Sequence, residues 1–242
     1  MNIAVTGLGW VTPKGIGRGR DHTSLPGGQG PIPSPTRKTA FHGPFPRFGR
    51  LDAYSKIGLT AIALALQDAH RDRWEKKRNV GLIASSFSGC LATDMDYFKT
   101  VLPDGGRLAS PNLFAYTLPN SFLGEAAIRF GLTGTSFVIC EEPLTGIQSL
   151  HFAIGSIAEG ESDGVLAGTC DMGCPEIGPA SSTPVTGSLF CLLERADQAD
   201  GFSYGGIGID REGRIRMNGG SIEDMLGLIQ RCIEIATARK GS

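Results

Sequence analysis

Two hydrophobic patterns alternate along the chain. Short apolar runs that end at glycine or polar residues are typical of buried strands, and they occur at residues 2–6, 79–86, 135–140, 165–169 and 188–193. Longer stretches in which apolar residues recur at helical spacing predict helices at residues 51–74, 94–102, 121–130 and 144–158. Strands that alternate with helices of this length predict an α/β fold around a mostly parallel sheet.

The C-terminal part of the chain predicts one more strand and one more helix. Residues 205–216 contain a short strand followed by an Asp-Arg-Glu-Gly turn. Residues 221–236 are amphipathic, with Ser221 as the expected N-cap and Asp224 at the third position of the turn. No segment has the composition of a linker between globular parts, so we expect residues 1–242 to form a single domain.

Residues 13–49 interrupt the regular pattern. This segment is rich in glycine, proline and arginine and has almost no apolar periodicity. It cannot bury enough apolar surface to offset its ordering entropy, so we expect a long loop, part of it disordered. Gly7 and Gly9, just before it, are expected to end the first strand in a tight turn. The third glycine of a dinucleotide-binding fingerprint does not follow, so that function is not predicted.

Composition and charge exclude several classes of partner. The chain has 242 residues, of which 40% are hydrophobic, and a formal net charge of −1, so it has no electrostatic signature of nucleic-acid binding. The basic cluster at residues 71–78 is interrupted by acidic residues and is interpreted as the solvated end of a helix. No apolar stretch reaches the roughly 18 residues that a membrane span needs. The N-terminus lacks the basic start of a signal peptide, and we expect a cytoplasmic protein.

The six cysteines do not predict a metal site. Most of them lie in apolar runs, as small buried residues do in proteins of a reducing compartment. Cys170 and Cys174 are four positions apart, with no second pair and no nearby histidine, which is unlike a zinc site. We therefore expect neither a metal nor another cofactor.

The order of several short motifs resembles the β-ketoacyl-acyl-carrier-protein synthase family. Residues 3–13, IAVTGLGWVTP, resemble the start of these synthases, and matching segments follow in the family's order at 65–69, 80–84, 110–120, 128–134 and 159–168. The resemblance implies the N-terminal half of a thiolase-like fold, with a five-stranded, mostly parallel mixed sheet between helices. The family's second half, which supplies two catalytic histidines and a lysine, has no counterpart here. The histidines of this chain are in other contexts: His22, His42, His70 and His151.

Proline stands where the family has its nucleophilic cysteine. The family's strand and its Thr-Ala-Cys-x-Ser-Gly turn align without gaps with residues 137–146, FVICEEPLTG, and Pro143 falls on the cysteine. A pyrrolidine ring cannot attack a thioester, and proline has no N–H to donate to an oxyanion. The resemblance therefore implies that this chain does not condense acyl chains by itself, while its status as an enzyme stays open.

The residues beside Pro143 each have two interpretations. Proline is favoured at the first position of a helix, and Glu141 and Glu142 before it would place negative charge at the helix N-terminus. The alternative for the glutamates is a new acid/base role, with Glu142 as the candidate. Cys140 is expected to be a core residue of the strand with a raised pKa, and the alternative is a displaced nucleophile.

The strand before Pro143 is the expected contact with a partner. In the family this strand pairs across the subunit boundary, and the matching residues are Ser136, Phe137, Val138 and Ile139. An uncovered strand edge invites such pairing, so we expect a homodimer or a heterodimer with a full-length β-ketoacyl synthase. The resemblance also implies an acyl carrier protein as a partner. Without the second half, an apolar helix layer must be covered by the C-terminal helix or by another chain.

Three functions remain open at this point. The first is a non-catalytic, chain-length-factor-like partner of a complete synthase in fatty-acid or polyketide assembly, in which Phe114 and Tyr116 align with the region that lines the acyl tunnel. Ordinary core packing explains these two aromatic residues equally well. The second is an acyl-thioester transferase or hydrolase with a relocated site at Cys140 or Glu142. The third is a structural relic.

Overall fold

A mixed β-sheet with helices on both faces forms the centre of the protein. A computed structural model describes residues 2–21, 26–174, 186–199 and 201–240. The strands are β1 Ile3–Thr12, β2 Gly15–Arg18, β3 Val80–Ser86, β4 Ser136–Cys140, β5 Gly164–Asp171, β6 Gly187–Arg195, β7 Gly205–Ile209, β8 Ile215–Met217 and β9 Gly220–Ser221. The α-helices are α1 Arg37–Ala40, α2 Ala53–Asp68, α3 Leu91–Val101, α4 Pro111–Phe114, α5 Ser121–Phe130, α6 Ile147–Ala158 and α7 Met225–Lys240.

The strand order confirms a mixed α/β architecture and corrects the number of strands. The order is β4-β3-β5-β6-β1-β7-β8-β9, and β2 pairs with β1, so the described residues form nine strands rather than five. The expected five strands form one end of this sheet. A hairpin adds β2, and the C-terminal segment adds β7, β8 and β9. Pairing is parallel where β3 meets β4 and β5 and antiparallel between the other neighbours, so the sheet is not mostly parallel.

Strand β1 continues through the two glycines that were expected to end it. Gly7 and Gly9 pair with Leu192 and Phe190 of β6, and helix α2 crosses the strand at this point. A Cβ atom on Gly7 would overlap the carbonyl oxygen of Ala65, and one on Gly9 would overlap the next turn of the same helix. The glycines therefore allow a close contact between helix and sheet, which is a different role from making a turn.

One face of the sheet is covered by α2, α5 and part of the segment 13–49. The expectation of an irregular loop is wrong for much of this segment, which contains β2, α1 and three buried phenylalanines. The ring of Phe41 lies 5.1 Å from that of Phe45 and 5.6 Å from that of Phe48. This aromatic cluster joins the core beside α2. Residues 22–25 of the segment, which include His22, lie outside the described residues.

The other face is covered by α6 and α7. Leu150 and Ile154 of α6 and Leu228 and Cys232 of α7 belong to one buried cluster with β1, β5 and β6. The C-terminal helix therefore covers apolar surface on this face, which is one of the two expected ways of covering it.

The C-terminal helix begins later than expected. It starts at Met225, whereas Ser221 ends β9 and pairs with Arg216. The N–H of Gly227 donates to the Asp224 carboxylate at 2.6 Å, so Asp224 caps the helix and Ser221 does not.

Candidate functional site

The residues that the resemblance aligns with the family's nucleophile turn lie at the carboxyl ends of the parallel strands. Strands β3, β4 and β5 end side by side at Ser86, Cys140 and Asp171. Residues 141–146 then lead from β4 to α6. We call this segment, together with Cys140, the proline loop.

Pro143 is exposed and does not begin a helix. Helix α6 starts at Ile147, with Gly146 as its N-cap. Gly146 has a φ of 81°, a left-handed conformation that glycine adopts with little strain. The expectation that Pro143 occupies the first helical position is therefore wrong, because the chain makes a further turn before the helix begins.

Glu141 is buried inside the proline loop and is bound by the loop itself. Its side chain accepts hydrogen bonds from the N–H of Gly146 at 3.1 and 3.2 Å and from the hydroxyl of Thr145. A carboxylate at this position lies at the positive end of the α6 dipole. The expected charge at the helix N-terminus is thus present, and Glu141 supplies it by folding back over the loop.

Glu142 has a different environment from Glu141. It is exposed and lines a cleft of about 370 Å³, whose wall also contains His151 of α6 and Glu223 before α7. The structure therefore brings Glu142 and His151 to one cleft, although the sequence placed His151 only inside a helix. The helical spacing could have predicted the position of His151. Ile147 and His151 are four residues apart and therefore share the helix face next to the proline loop.

Cys140 is exposed, and the expectation that it belongs to the core is wrong. It ends an edge strand, in which Ser136 and Cys140 are exposed and the three residues between them are half-buried. The other five cysteines are buried. Burial raises the pKa of Cys90 and of Cys191 to about 12. Cys140 is therefore the accessible thiol of the six.

Asp171 is a buried carboxylate that the sequence analysis did not single out. It accepts hydrogen bonds from the N–H groups of Phe87 and Ser88, both at 2.7 Å, and from the hydroxyls of Ser86 and Ser88. The N–H of Gly173 donates to it as well. Asp171 therefore fixes the loop after β3 and has a structural role. An acidic residue that directly ends an apolar strand was the signal for it.

Among residues 2–21, 26–174, 186–199 and 201–240, strand β4 lies at the end of the sheet, and none of them pairs with its outer side. The Leu82 N–H donates to the Thr135 carbonyl at 2.8 Å, and the Glu141 N–H donates to the Ser86 carbonyl at 3.0 Å. Backbone groups of alternate residues in a strand point to opposite sides. The backbone groups of the even-numbered residues, with Val138 at the centre, therefore point away from β3 and towards the open edge.

Apolar side chains accompany this open edge. Phe137 of β4 makes an edge-to-face contact with Phe152 of α6, with ring centroids 5.5 Å apart. Phe152 is 52% exposed although it is a large apolar residue. The edge of the sheet therefore combines unpaired backbone groups with exposed aromatic surface.

Phe114 and Tyr116 have different surroundings. Phe114 is 62% exposed, and its ring lies 5.4 Å from that of Tyr97. Tyr116 is buried in the core cluster that contains α2. Their role in an acyl pocket stays a prediction.

The described residues contain neither a metal-binding cluster nor a membrane-spanning helix. Residues 2–21, 26–174, 186–199 and 201–240 contain no group of three or more His, Cys, Asp or Glu side chains placed to hold a metal ion. In the same part of the chain, no helix has the length and apolar character needed to cross a membrane.

Comparison with known proteins gives a family match over most of the chain. The model of the β-ketoacyl synthase N-terminal domain matches residues 33–205. A putative polyketide β-ketoacyl synthase 1 of Streptomyces halstedii is 27% identical over 199 residues, which are 70% of this chain and 46% of that protein. A 3-oxoacyl-[acyl-carrier-protein] synthase 2 of Vibrio cholerae is 26% identical over 132 residues, 54% of this chain and 32% of that protein. The chain thus spans about half the length or less of these curated relatives.

Solved structures share the fold at low sequence identity. A type II polyketide synthase acyl-carrier protein in complex with its ketosynthase gives a TM-score of 0.66 at 17% identity, over 85% of this chain and 67% of that chain. The ishigamide ketosynthase/chain length factor gives 0.62 at 17% identity, over 88% and 68%. A ketosynthase in complex with its chain length factor from Xenorhabdus doucetiae gives 0.53 at 17% identity, over 81% and 80%. At this identity the likeness establishes the thiolase-like ketosynthase fold alone.

Proposed function

Because the chain belongs to the β-ketoacyl synthase family through its N-terminal domain, we propose that it is a non-catalytic, chain-length-factor-like partner of a complete synthase. The assembly would make polyketides or fatty acids. The proposal rests on two features that lie next to each other along the chain. The resemblance places Pro143 on the family's nucleophile, and within the described part of the chain the strand that leads to it has an open edge.

The proline loop is unsuited to the family's chemistry. Pro143 has neither a nucleophilic atom nor an N–H group. The Gly146 N–H and the Thr145 hydroxyl donate to Glu141, so these donors are engaged within the loop. Losing one oxyanion donor alone slows an acyl-transfer enzyme by about 100- to 1000-fold. The loop therefore supports a structural role in this chain.

The open edge of β4 supports pairing with another subunit. Three consecutive half-buried residues, Phe137, Val138 and Ile139, form the strand centre, and the backbone groups of Val138 point outwards. Unpaired strand edges are templates for pairing with a second chain. The exposed ring of Phe152 beside the strand would lose its water contact in such a complex, which favours association.

A complete synthase is the partner that fits best. Similar solved structures include the ishigamide ketosynthase/chain length factor and a ketosynthase in complex with its chain length factor. Such a partner would supply a nucleophile, which a second copy of this chain, with proline at that position, would not. In the heteromeric complex, Phe114 and Tyr116 would contribute to the acyl pocket, and an acyl carrier protein would bring the substrate. We expect this assembly in the cytoplasm, where the six free cysteines stay reduced.

Affinity capture from the native host tests the proposal. The wild-type chain should retain a full-length β-ketoacyl synthase, identified by mass spectrometry. Val138→Pro should lose it, because proline removes the outward N–H of the strand centre without touching the bonds to β3. Val138→Ala keeps that N–H and should still capture the synthase. Capture that is equal for all three proteins would place the contact elsewhere, and capture of no synthase would contradict the proposal.

A second candidate function rests on the cleft beside the proline loop. Glu142 and His151 line the same cleft, and carboxylate and imidazole groups are the usual general acids and bases. Together with the exposed Cys140 thiol, they favour an acyl-thioester transferase or hydrolase. This function requires that the isolated chain turns over an acyl-thioester and that Glu142→Gln or Cys140→Ser abolishes the turnover. A monomer with neither turnover nor a partner would be a structural relic.

A further inference from the structure

A second cleft lies at the opposite end of the sheet from Pro143. Residues 70–79, which connect α2 with β3, form one wall, and the start of β5 and the end of β6 contribute Gly164 and Glu194. We call it the arginine cleft. Its volume is about 720 Å³, within the range of about 300–1,000 Å³ that is usual for small-molecule sites. The sequence suggested that the basic cluster at residues 71–78 is the solvated end of a helix. In the structure α2 stops at Asp68, and the basic residues follow it and line a concave surface.

Cationic side chains outnumber carboxylates in this lining. The carboxylates are Glu75, Asp163 and Glu194, and the cations are Arg71, Arg73, Lys76, Lys77 and Arg78. Glu194 accepts from the Thr6 hydroxyl at 2.6 Å and forms an ion pair with Arg71 at 3.1 Å, so these two charges offset each other and the other four cations face two carboxylates. The remaining charge makes the arginine cleft attractive to anions.

Arg78 holds a donor that the protein does not use. Its Nη2 donates to the Phe130 carbonyl at 3.1 Å, but its buried Nε has no hydrogen-bond partner among the described residues. Two other arginines with such an Nε, Arg20 and Arg129, lie over phenylalanine rings at 4.2 and 5.7 Å. A buried charged donor without a partner is costly, and Arg78 is one of the residues that line the arginine cleft.

The charge around Arg78 supports the same conclusion. Burial lowers the pKa of the Arg78 guanidinium, and repulsion by Arg71 lowers the pKa further. The carboxylates of Glu194 and Asp72 act in the opposite direction. An anion in the arginine cleft would favour the charged form of Arg78 in the same way as these carboxylates.

Trp74 provides a fixed aromatic wall. Its indole N–H donates to the Arg129 carbonyl at 3.0 Å, and its ring packs against Gly131 so closely that a Cβ there would come within 2.5 Å. The side chain nevertheless stays 39% exposed at the arginine cleft. A ring held in this way offers a stacking surface to a planar base.

We propose that the arginine cleft binds a small phosphate ester with an aromatic base, of the nucleotide class. The phosphates contact Arg73, Lys76 and Arg78, and the base rests on Trp74. This site is independent of the proline loop and of the edge of β4.

Calorimetric titration of the full chain with ADP, pyrophosphate and adenosine tests the proposal. ADP should bind more tightly than pyrophosphate, since the base adds a stacking contact, and adenosine should bind at least about tenfold more weakly than ADP. ADP should also protect Trp74 from acrylamide quenching, because the other tryptophan, Trp10, is buried. Failure of both phosphate probes to bind, or binding without protection of Trp74, would overturn the proposal. Equal affinities for ADP and pyrophosphate, or for ADP and adenosine, would overturn it too.

Variants locate the binding within the chain. Arg73 and Lys76 are exposed, so Arg73→Gln and Lys76→Gln should fold normally and weaken ADP binding by about tenfold each. Arg78→Lys keeps the charge and removes the planar donor group, and it should also weaken binding. Lys38→Gln, at an exposed lysine of α1, is the matched control and should leave the affinity unchanged. If Lys38→Gln and Arg73→Gln weakened ADP binding equally, the binding would be non-specific charge attraction, and the proposed site would be wrong.

Discussion

The N–H of Gly146 donates to both carboxylate oxygens of Glu141, at 3.1 and 3.2 Å. This contact closes the loop that contains Pro143 and determines where α6 begins. The resemblance implies that a cysteine nucleophile would stand at this turn. Here a carboxylate from within the turn accepts from the Gly146 N–H, and the exposed proline lies outside the helix. The turn therefore acts as an internal helix cap.

Removal of the cap should destabilise the fold. Glu141→Ala leaves the buried N–H of Gly146 without an acceptor, which costs about 1–3 kcal/mol of the free energy of unfolding. Urea denaturation monitored by circular dichroism measures this change. Glu142→Ala is the matched control, and as a change at an exposed side chain it should stay within about 0.5 kcal/mol of wild type. Equal effects of the two substitutions would contradict the capping role.

Restoring the family's nucleophile should restore no condensation. Pro143→Cys supplies a thiol, but the resemblance implies that the family's chemistry also needs two histidines and a lysine, for which residues 1–242 offer no counterpart. The Gly146 N–H also stays bound to Glu141. The rate of condensation between malonyl and acyl thioesters, measured by mass spectrometry of the products, should equal that of Pro143→Ala. A higher rate for Pro143→Cys would show that the loop retains a working site.

Thiol reactivity should single out Cys140. It is the exposed cysteine of the six, while burial raises the pKa of Cys90 and Cys191 to about 12 and also raises that of Cys170. Titration with an aromatic disulfide at neutral pH should therefore label one thiol per chain rapidly, and Cys140→Ser should remove that phase. Rapid labelling of a second cysteine would indicate that the core opens more readily than the packing implies. Binding of a synthase along β4 should slow the labelling of Cys140.

Asp68 should make stability depend on pH. Its buried carboxylate accepts from the Tyr204 hydroxyl at 2.7 Å and from the N–H groups of Arg20 and Leu8. Burial raises its pKa in the folded state, although the hydrogen bonds oppose the shift. The folded state therefore holds the proton to a higher pH than the unfolded state, whose pKa is about 3.9.

The sign of this effect distinguishes it from an ordinary ion pair. The stabilisation from protonated Asp68 is complete below about pH 4 and declines as the pH rises through the folded pKa. Asp68→Asn lacks this titration, so the difference in unfolding free energy between wild type and variant should fall as the pH rises from about 4 and then level off. Tyr204→Phe removes a donor that lowers the pKa, and it should move the decline to higher pH. A difference that grows with pH would contradict the assignment.

Local patterns predicted most of the central elements of this fold. The helix at residues 121–130 has the bounds that the sequence indicated, and strands β3, β4, β5 and β6 lie within two residues of their expected ends. Strands β3, β5 and β6 bury continuous apolar runs, β4 has a short run of apolar residues, and the helix ends at Gly131, whose backbone is left-handed. The residues within and directly beside each of these elements were therefore enough to predict it.

Features that depend on distant segments could not be predicted in this way. Gly7 and Gly9 are typical of a turn, and only the crossing of α2 explains their place inside a strand. Cys140 has apolar neighbours typical of a core, and only the edge position of β4 exposes it. For the candidate site, alignment gave the position of Pro143, but the capping by Glu141 depends on a fold of the loop that no periodicity encodes.

Native mass spectrometry of this chain mixed with the full-length synthase from its host tests the central claim most directly. We predict a one-to-one complex for the wild type and for Val138→Ala, and separate chains for Val138→Pro, because pairing at β4 needs the outward N–H of Val138. The complex should condense acyl and malonyl thioesters only while the nucleophile of the synthase is intact. A wild-type chain that stays free in the presence of the synthase, or a complex that survives Val138→Pro unchanged, would contradict the account.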